Sequence, residues 1–487
     1  RVLFRSRPLG PCSCSLPISR GRSITAKRLT ACRSPARAAR PAGTPPGSPL
    51  ERFNEGLGEN AAQVTSFEAG TEIWSFVPPE FYGNFQTLRD NTTVIGSPAT
   101  NANAATQKRY GIDGPITAFQ GTIGGVSKVY VYATMRRGGR AIYAFDTTDI
   151  ANPSLLWKRG CPNASDDTDC SAGYAGIGQT WSSLKTLHAT GHLSGASPLL
   201  ITGGGYDTCE DHDVISGGTA YNNNCTSSSK GRKVYIIDAV NGDVIKAFDT
   251  DRPVIADATL VKDGATGMIK YAYTADLGGN VYRMTFGSGA PATWTITKIA
   301  SLGCSGLSSC TANRKFMFQP SVVTTDQDTF FVMLGSGDRE KPIQAYTASK
   351  TVANYFFMVK DTISNGAASY TDTTNCGPST STLCLNSLAA IGATNPTQAE
   401  LNAKPKGWYL ALNSANGEQV VTSALTIFGV VTFSTHQPAA AAVTGQCKPN
   451  LGTTNVYNIS YLNAATANGT QNRYEHVSGD GLPPSPV

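Results

Sequence analysis

Met135-Arg136-Arg137-Gly138-Gly139-Arg140-Ala141-Ile142-Tyr143-Ala144-Phe145-Asp146 decides the fold, because its second half returns in variant form. Residues 141–145 form an alternating apolar strand that ends on an acidic turn residue, Asp146. Lys233-Val234-Tyr235-Ile236-Ile237-Asp238 repeats it, and Ala239-Val240-Asn241-Gly242 then turns into a second strand over 243–248. Gly278-Gly279-Asn280-Val281-Tyr282-Arg283-Met284 is a third version. Strand–turn–strand units recurring at intervals of tens of residues mark a radial repeat. Such a scaffold is a platform, and its chemistry is to be sought in its loops.

Working outward, strands are expected over 71–77, 128–133, 155–158, 199–202, 271–273, 281–284, 294–299, 330–334, 355–359, 408–412 and 427–433. A short helix is expected over 398–403 and little other helix. Strand after strand without helices between them excludes a parallel α/β fold and a helical solenoid. The 50 glycines and 27 prolines suit many tight turns. The reading is all-β: a modified β-propeller of about seven blades with long disulfide-braced loops. Its Trp and Tyr residues are read as packing between blades. No apolar run approaches the roughly 20 residues of a membrane helix, so no transmembrane segment is expected.

The chain has 487 residues and a net charge of +6, but the charge is uneven. Residues 1–50 hold nine arginines, one lysine and no acid, so they carry +10 and the rest carries −4. The body is mildly acidic, which gives no case for nucleic-acid binding. The tail lacks an initiator Met and opens on Arg-Val-Leu-Phe-Arg-Ser. It is read as a disordered, non-native segment, with an electrostatic arm as the alternative. Residues 51–487 are then the propeller domain.

Cys12, Cys14 and Cys32 lie in that tail. Eight of the other nine cysteines form close pairs: Cys161/Cys170, Cys209/Cys225, Cys304/Cys310 and Cys376/Cys384. Each pair brackets a polar segment, and none has the CxxC spacing of a zinc site. Four loop disulfides are expected, which places the chain in an oxidising compartment. Cys447 is left without a partner.

These phrases resemble the C-terminal β-propeller of the PilY/PilC-type type IV pilus tip-associated proteins. The similar stretches are EIWSFVPPEFY (72–82), YGIDGPITAF (110–119), ATMRRGGRAIYAFDTTD (133–149), GIGQTWSS (176–183), GGGYDTCED (203–211), KVYIIDAVNGD (233–243) and YTADLGGNVYRM (273–284). NRKFMFQP (313–320), LGSGDREKP (334–342) and GLPPSP (481–486) continue the series. The residues before about 66 do not match the family's first-blade strand. The chain is therefore read as a fragment, with that blade incomplete and the C-terminus truncated. The resemblance implies a non-catalytic protein at the pilus tip or outer membrane, exported through the periplasm. It further implies roles in pilus assembly, adhesion and twitching motility, with minor pilins and the pilus fibre as partners. A host or abiotic surface would be reached through the family's N-terminal region.

Some family members bind calcium in an Asp-rich loop, and the matching stretch here is 256–276. Its acids are Asp257, Asp263 and Asp276, without the D-x-D-x-D-G spacing that gathers oxygen ligands. A plain hairpin turn is the favoured reading, with calcium at these three residues the alternative. Asp166, Asp167 and Asp169, and Glu210, Asp211 and Asp213, are read as solvated polar loops, with calcium in either as the alternative. His212 stands alone, and His188, His192, His436 and His476 form no HExxH set. No GxSxG motif is present, Gly203-Gly204-Gly205 reads as a tight strand end, and 338–341 reads as a solvated turn. Arg136, Arg137 and Arg140 are read as salt bridges between blades, with contact to a pilin as the alternative. The rival function is a quinoprotein-type dehydrogenase, because 238–248 resembles that superfamily's repeat. Phe248 stands where the repeat expects Trp, and five tryptophans are too few for one on every blade.

Overall fold

The computed structural model describes residues 72–91, 110–164, 166–211, 214–216, 219–221, 230–304, 312–326, 328–342, 347–364, 366, 370–378, 381–439, 451–467, 472–478 and 481–486. Two compact units, Arg1–Thr71 and Glu72–Val487, divide the chain, and every described residue lies in the second. The expectations for the basic tail, and for Cys12, Cys14, Cys32 and Cys447, lie outside the described residues.

Five blade-sized sheets follow one another along the chain. The first joins Ile116–Ile123, Val126–Thr134, Arg140–Asp146 and Ser154–Cys161 in order. The second joins Lys185–Leu187, Leu199–Gly203, Lys233–Asp238 and Val244–Asp249, with a separate hairpin, Val214–Ser216 and Thr219–Tyr221, inserted between its middle strands. The third is Thr259–Lys262, Ile269–Ala275, Asn280–Thr285 and Thr295–Ser301. The fourth runs Ser321–Thr324, Thr329–Gly335, Tyr355–Thr362 and Gly407–Ala411, and Ala389–Ile391 adds a parallel edge. The fifth is built on Val430–Gln437 and Thr453–Ser460, flanked by Leu425–Ile427, Gln419–Val420 and Tyr474–His476. The fold class is the expected all-β propeller. Among the described residues the blades number five, against the expected seven or so.

The blades are held by apolar side chains on both faces of each middle strand, which is why those strands read as near-continuous hydrophobic runs. Tyr132 and Ile142 of the first blade pack with Leu200, Tyr235 and Ile237 of the second. The alternate residues Ile201, Val234 and Ile236 turn instead toward Ala272, Tyr282 and Met284 of the third. Tyr273 and Val281 meet Val332 and Phe357 of the fourth. Met333, Phe356 and Trp408 meet Val431, Phe433 and Tyr457 of the fifth, with Phe356 and Phe433 stacked at 3.8 Å. Each large side chain so buried contributes roughly 1.5–3 kcal/mol. Trp157 and Trp408 sit at these seams as expected, their indole N–H groups donating to the carbonyls of Ala239 (3.2 Å) and Tyr461 (3.1 Å).

The first strands of the second to fifth blades were not visible in the sequence, having only three or four residues each. Side-chain bonds link them in series. The Ser183 amide donates to Asp257 (2.6 Å), Gln319 donates to Thr259 (2.9 Å), and Ser321 bonds Thr426 (2.8 Å).

Two local expectations need correction. Residues 72–78 are extended but pair with no strand; Trp74 and Phe76 instead lie against Tyr143 and Phe145 of the first blade. The run 427–433 is not one strand, because Phe428 and Gly429 turn the chain at φ 48° and 86°. The helix expected at 398–403 forms as Gln398–Ala403, capped by reciprocal bonds between Thr397 and Glu400.

Disulfides join Cys161 to Cys170 and Cys376 to Cys384. Cys209 and Cys304 are also disulfide-bonded, and their expected partners, Cys225 and Cys310, lie outside the described residues. Arg140 braces the first of these loops. Its Nε donates to the Ile177 carbonyl (2.6 Å), Nη1 to the carbonyls of Asn163 (3.0 Å) and Asp166, and Nη2 to the Asp167 carboxylate. Replacing Cys161 and Cys170 together by Ser is expected to lower unfolding free energy by about 2–3 kcal/mol, the loop-closure value for so short a ring. Urea unfolding with and without reductant measures it.

Candidate functional site

The turns that end the strands converge on one buried cluster of charges. Arg137 comes from the turn between two strands of the first blade, and Glu210 and Asp211 follow Leu199–Gly203 of the second. Arg252 lies between the second and third blades, Lys315 between the third and fourth, and Asp338 and Glu340 follow Thr329–Gly335 of the fourth. Lys315 is 3% exposed, and its ammonium lies 2.6 Å from Glu210 Oε2 and 3.0 Å from Asp338 Oδ2. Arg252 donates to the other Glu210 oxygen at 2.7 Å. Arg137 donates to Asp211 (2.9 Å) and Glu340 (2.8 Å). The fifth blade joins through Gln419, whose amide oxygen accepts from the Asp338 backbone (2.8 Å).

Beside these charges lies an aromatic floor. Trp181 stacks on Tyr206 with centroids 4.5 Å apart, among Ile255, Leu277 and Met317. The guanidinium of Arg137 lies 5.1 Å from both ring centroids, and that of Arg136 lies 4.4 Å from Trp181, within cation–π range. Gly203 and Gly204 let the Val254 and Gly231 backbone come close to the strand end that leads into Tyr206: a Cβ on either would meet the Val254 or Gly231 carbonyl oxygen at 2.4 or 2.5 Å.

Electrostatics follow from this pairing. Burial works against the Lys315 charge, but Asp338 and Glu210 outweigh it and hold the ammonium above its ordinary value. Burial likewise pushes the Asp338 carboxyl up, while Lys315 and Lys341 prevail and keep it below the usual range. The reading of 338–341 as a solvated turn is therefore overturned, since Asp338 and Lys341 are 4% and 2% exposed. Glu210 and Asp211 are buried too, rather than part of a solvated loop. Sequence carries no direct signal for this hub; its members are separated by more than 200 positions.

The candidate calcium ligands are not brought together. Asp257 accepts from the Ser183 amide, and Asp263 closes its own turn through Ala265 and Thr266 (3.1 and 2.9 Å). Asp276, fully buried, accepts from Gly278, Asn280, Tyr282 and Arg252; burial pushes its carboxyl up to about 6. The strand Ile269–Ala275 separates Asp263 from Asp276 by about 25 Å at ~3.3 Å per residue. These residues do not fit one ion. Among the described residues, the group of three potential ligands that does cluster is Cys161, Asp167 and Cys170, and its sulfurs are joined as a disulfide. Asp213 and His212 lie outside the described residues. His188, His436 and His476 bond backbone carbonyls of Gly195, Leu451 and Thr454, and His192 lies 3.8 Å from Asp238. Of the arginines read as blade-to-blade ties, Arg137 spans three blades, Arg136 lies 3.6 Å from Glu340, and Arg140 holds a loop.

Lys315→Met leaves two buried carboxylates short of a cation, and unfolding free energy is expected to fall by about 3–5 kcal/mol. The sign with pH is set by both partners. The lowered Asp338 pKa gives stability above the unfolded value near ~4 that is lost as pH falls, and the raised Lys315 pKa gives stability below ~10.4 that is lost as pH rises. The gap between wild type and variant is thus flat from about pH 5 to 9 and narrows below about 4, as urea midpoints across pH will read.

The chain matches no protein-family model. It is 23% identical over 233 residues to the type IV pilus biogenesis factor PilY1 of Pseudomonas aeruginosa strain PAK, and 22% identical over 236 residues to that of strain UCBPP-PA14. Each match covers 47% of this chain and 16% of the relative, so the chain spans only a small part of the curated proteins it matches. The crystal structure of the Pseudomonas aeruginosa PilY1 C-terminal domain superposes with a TM-score of 0.52 and 17% identity, covering 82% of this chain and 76% of that one. The resemblance to the C-terminal propeller of the PilY/PilC-type pilus proteins therefore holds in sequence as well as in fold.

Proposed function

We propose that this chain is a non-catalytic module of type IV pilus biogenesis, a rigid platform that docks minor pilins at the pilus tip or outer membrane. The observation that carries the reading is the joint likeness, in sequence and in propeller fold, to PilY1, whose name is that of a pilus biogenesis factor. Two physical features support it. The loops rise from strands buried on both faces and are closed by disulfides, so a docking surface built on them loses little conformational freedom on binding. The polar groups that gather at the blade ends are spent on one another: Lys315, Glu210, Asp338 and Arg252 are mutually paired and buried, as befits a structural hub. No helix among the described residues is long and apolar enough to cross a membrane. Support of adhesion and twitching motility, with export through the periplasm, completes the reading.

Co-purification tests it. The full chain, expressed in the periplasm with minor pilins, is expected to retain at least one of them. A Cys209→Ser/Cys225→Ser variant, which removes the disulfide made by Cys209, is expected to retain about tenfold less, the effect of ~1.4 kcal/mol of added loop disorder. Retention of no pilin by either protein would sink the docking role.

A further inference from the structure

The first hairpin of the fifth blade breaks a rule that the first blade keeps. Ile123-Gly124-Gly125-Val126 joins two strands of the first blade, with Ile123 facing Val126 in register. Its turn residues are glycines at φ 59° and 81°, which suits a two-residue turn with positive φ at both positions. Ile427-Phe428-Gly429-Val430 makes the same turn in the same register, with Ile427 facing Val430. Here Phe428 holds the first position at φ 48°, where a bulky residue is strained, and it is 101% exposed. Its ring stabilises nothing in the fold, and the turn would form more easily without it. Ile427 and Leu462 stand beside it, both exposed; the Gly429 carbonyl accepts from the Tyr461 amide (3.2 Å), which ties the 461–462 turn to the hairpin. We propose that this tip inserts into an uncharged lipid surface, with Phe428 entering below the headgroups of zwitterionic lipids.

Size, shape and charge select the occupant. A stable protein interface takes about 800 Å² and roughly 20–30 residues from each partner, and this apolar tip has three side chains. The tip is convex, so a protein would need a matching cavity, whereas a fluid bilayer closes round it. The chain on either side, 419–435 and 451–467, has no charged residue, so no ion is dehydrated when the tip enters. The device recurs on the same face: between Lys185–Leu187 and Leu199–Gly203 of the second blade, Leu193 also has positive φ (46°) and is exposed. Between the first two strands of the third and fourth blades stand Asp263, Asp326 and Asp328. These acids repel an anionic bilayer and leave neutral lipid as the fitting surface. The hub is at the other end of the fifth blade, where Gln419 pairs with His436 and accepts from Asp338, so its buried charges stay clear of lipid.

The inference does not depend on the pilus reading, and its test uses no pilus component. The full chain is titrated with sucrose-loaded phosphatidylcholine vesicles at physiological salt, and the bound fraction is read by sedimentation. Neutral lipid is required because the +10 of residues 1–50 would bind an anionic vesicle whatever the tip did. The wild-type chain is expected to sediment with the vesicles, and Phe428→Asn to bind at least about tenfold more weakly, the contribution of one buried Phe side chain. Asn tolerates positive φ, so the urea midpoint of that variant is expected to equal or exceed that of the wild type. Phe428→Trp keeps an interfacial ring and is expected to bind at least as well. No binding by the wild type, equal binding by Phe428→Asn, or lost binding by Phe428→Trp overturns the proposal. So does a dimer that Phe428→Asn abolishes while no protein binds vesicles, which would assign the tip to a second copy. Should Phe428→Asn fold poorly, Phe428→Gly takes its place with the turn residues that the first blade already uses, and equal binding by that variant overturns the site.

Discussion

A buried ammonium needs carboxylates within reach, and the charge cluster where the blade ends meet is organised by that requirement at Lys315. Removing its charge from water is costly, and only the two carboxylates at 2.6 and 3.0 Å keep it ionised. Glu210 comes from the second blade, Asp338 from the fourth, and Lys315 from the link between the third and the fourth. The ion set can exist only when these blades stand in one arrangement. Hydrophobic packing between blades tolerates small slips; a charge cluster of this kind does not. It therefore makes the assembly specific, at the cost of desolvation.

The same cluster separates structural from available charge. Arg137, Arg252 and Lys315 are occupied within the fold, and Arg140 is consumed by a disulfide loop. Arg136 stands nearer solvent, its guanidinium over Trp181 and 3.6 Å from Glu340. A basic cluster in the sequence thus divides, on folding, into members that hold blades and members that face outward. That division suits a platform, whose interior is locked by buried, paired charges.

The middle strands were legible because burial on both faces leaves a mark that survives in one dimension, as in residues 141–145 and 233–238. The first strands of the blades were not. Lys185–Leu187 and Leu425–Ile427 have three residues each, too few for a period. Residues 72–78 have strand composition, yet Trp74 and Phe76 pack as side chains with no partner ladder. The Phe428-Gly429 turn was hidden because an apolar residue occupies a position that glycine or asparagine usually takes.

What the sequence determined by itself was the repeat, the all-β class and the pairing of Cys161 with Cys170 and of Cys376 with Cys384, all local patterns of composition and spacing. What only the tertiary structure decided was which charges are interior. Glu210, Lys315 and Asp338 look like ordinary loop residues, because solvation depends on what other segments bring to the same place. The three candidate calcium ligands were separated by the same logic. Nearness along the chain put Asp257, Asp263 and Asp276 in one stretch, and the strand between the last two carried them about 25 Å apart.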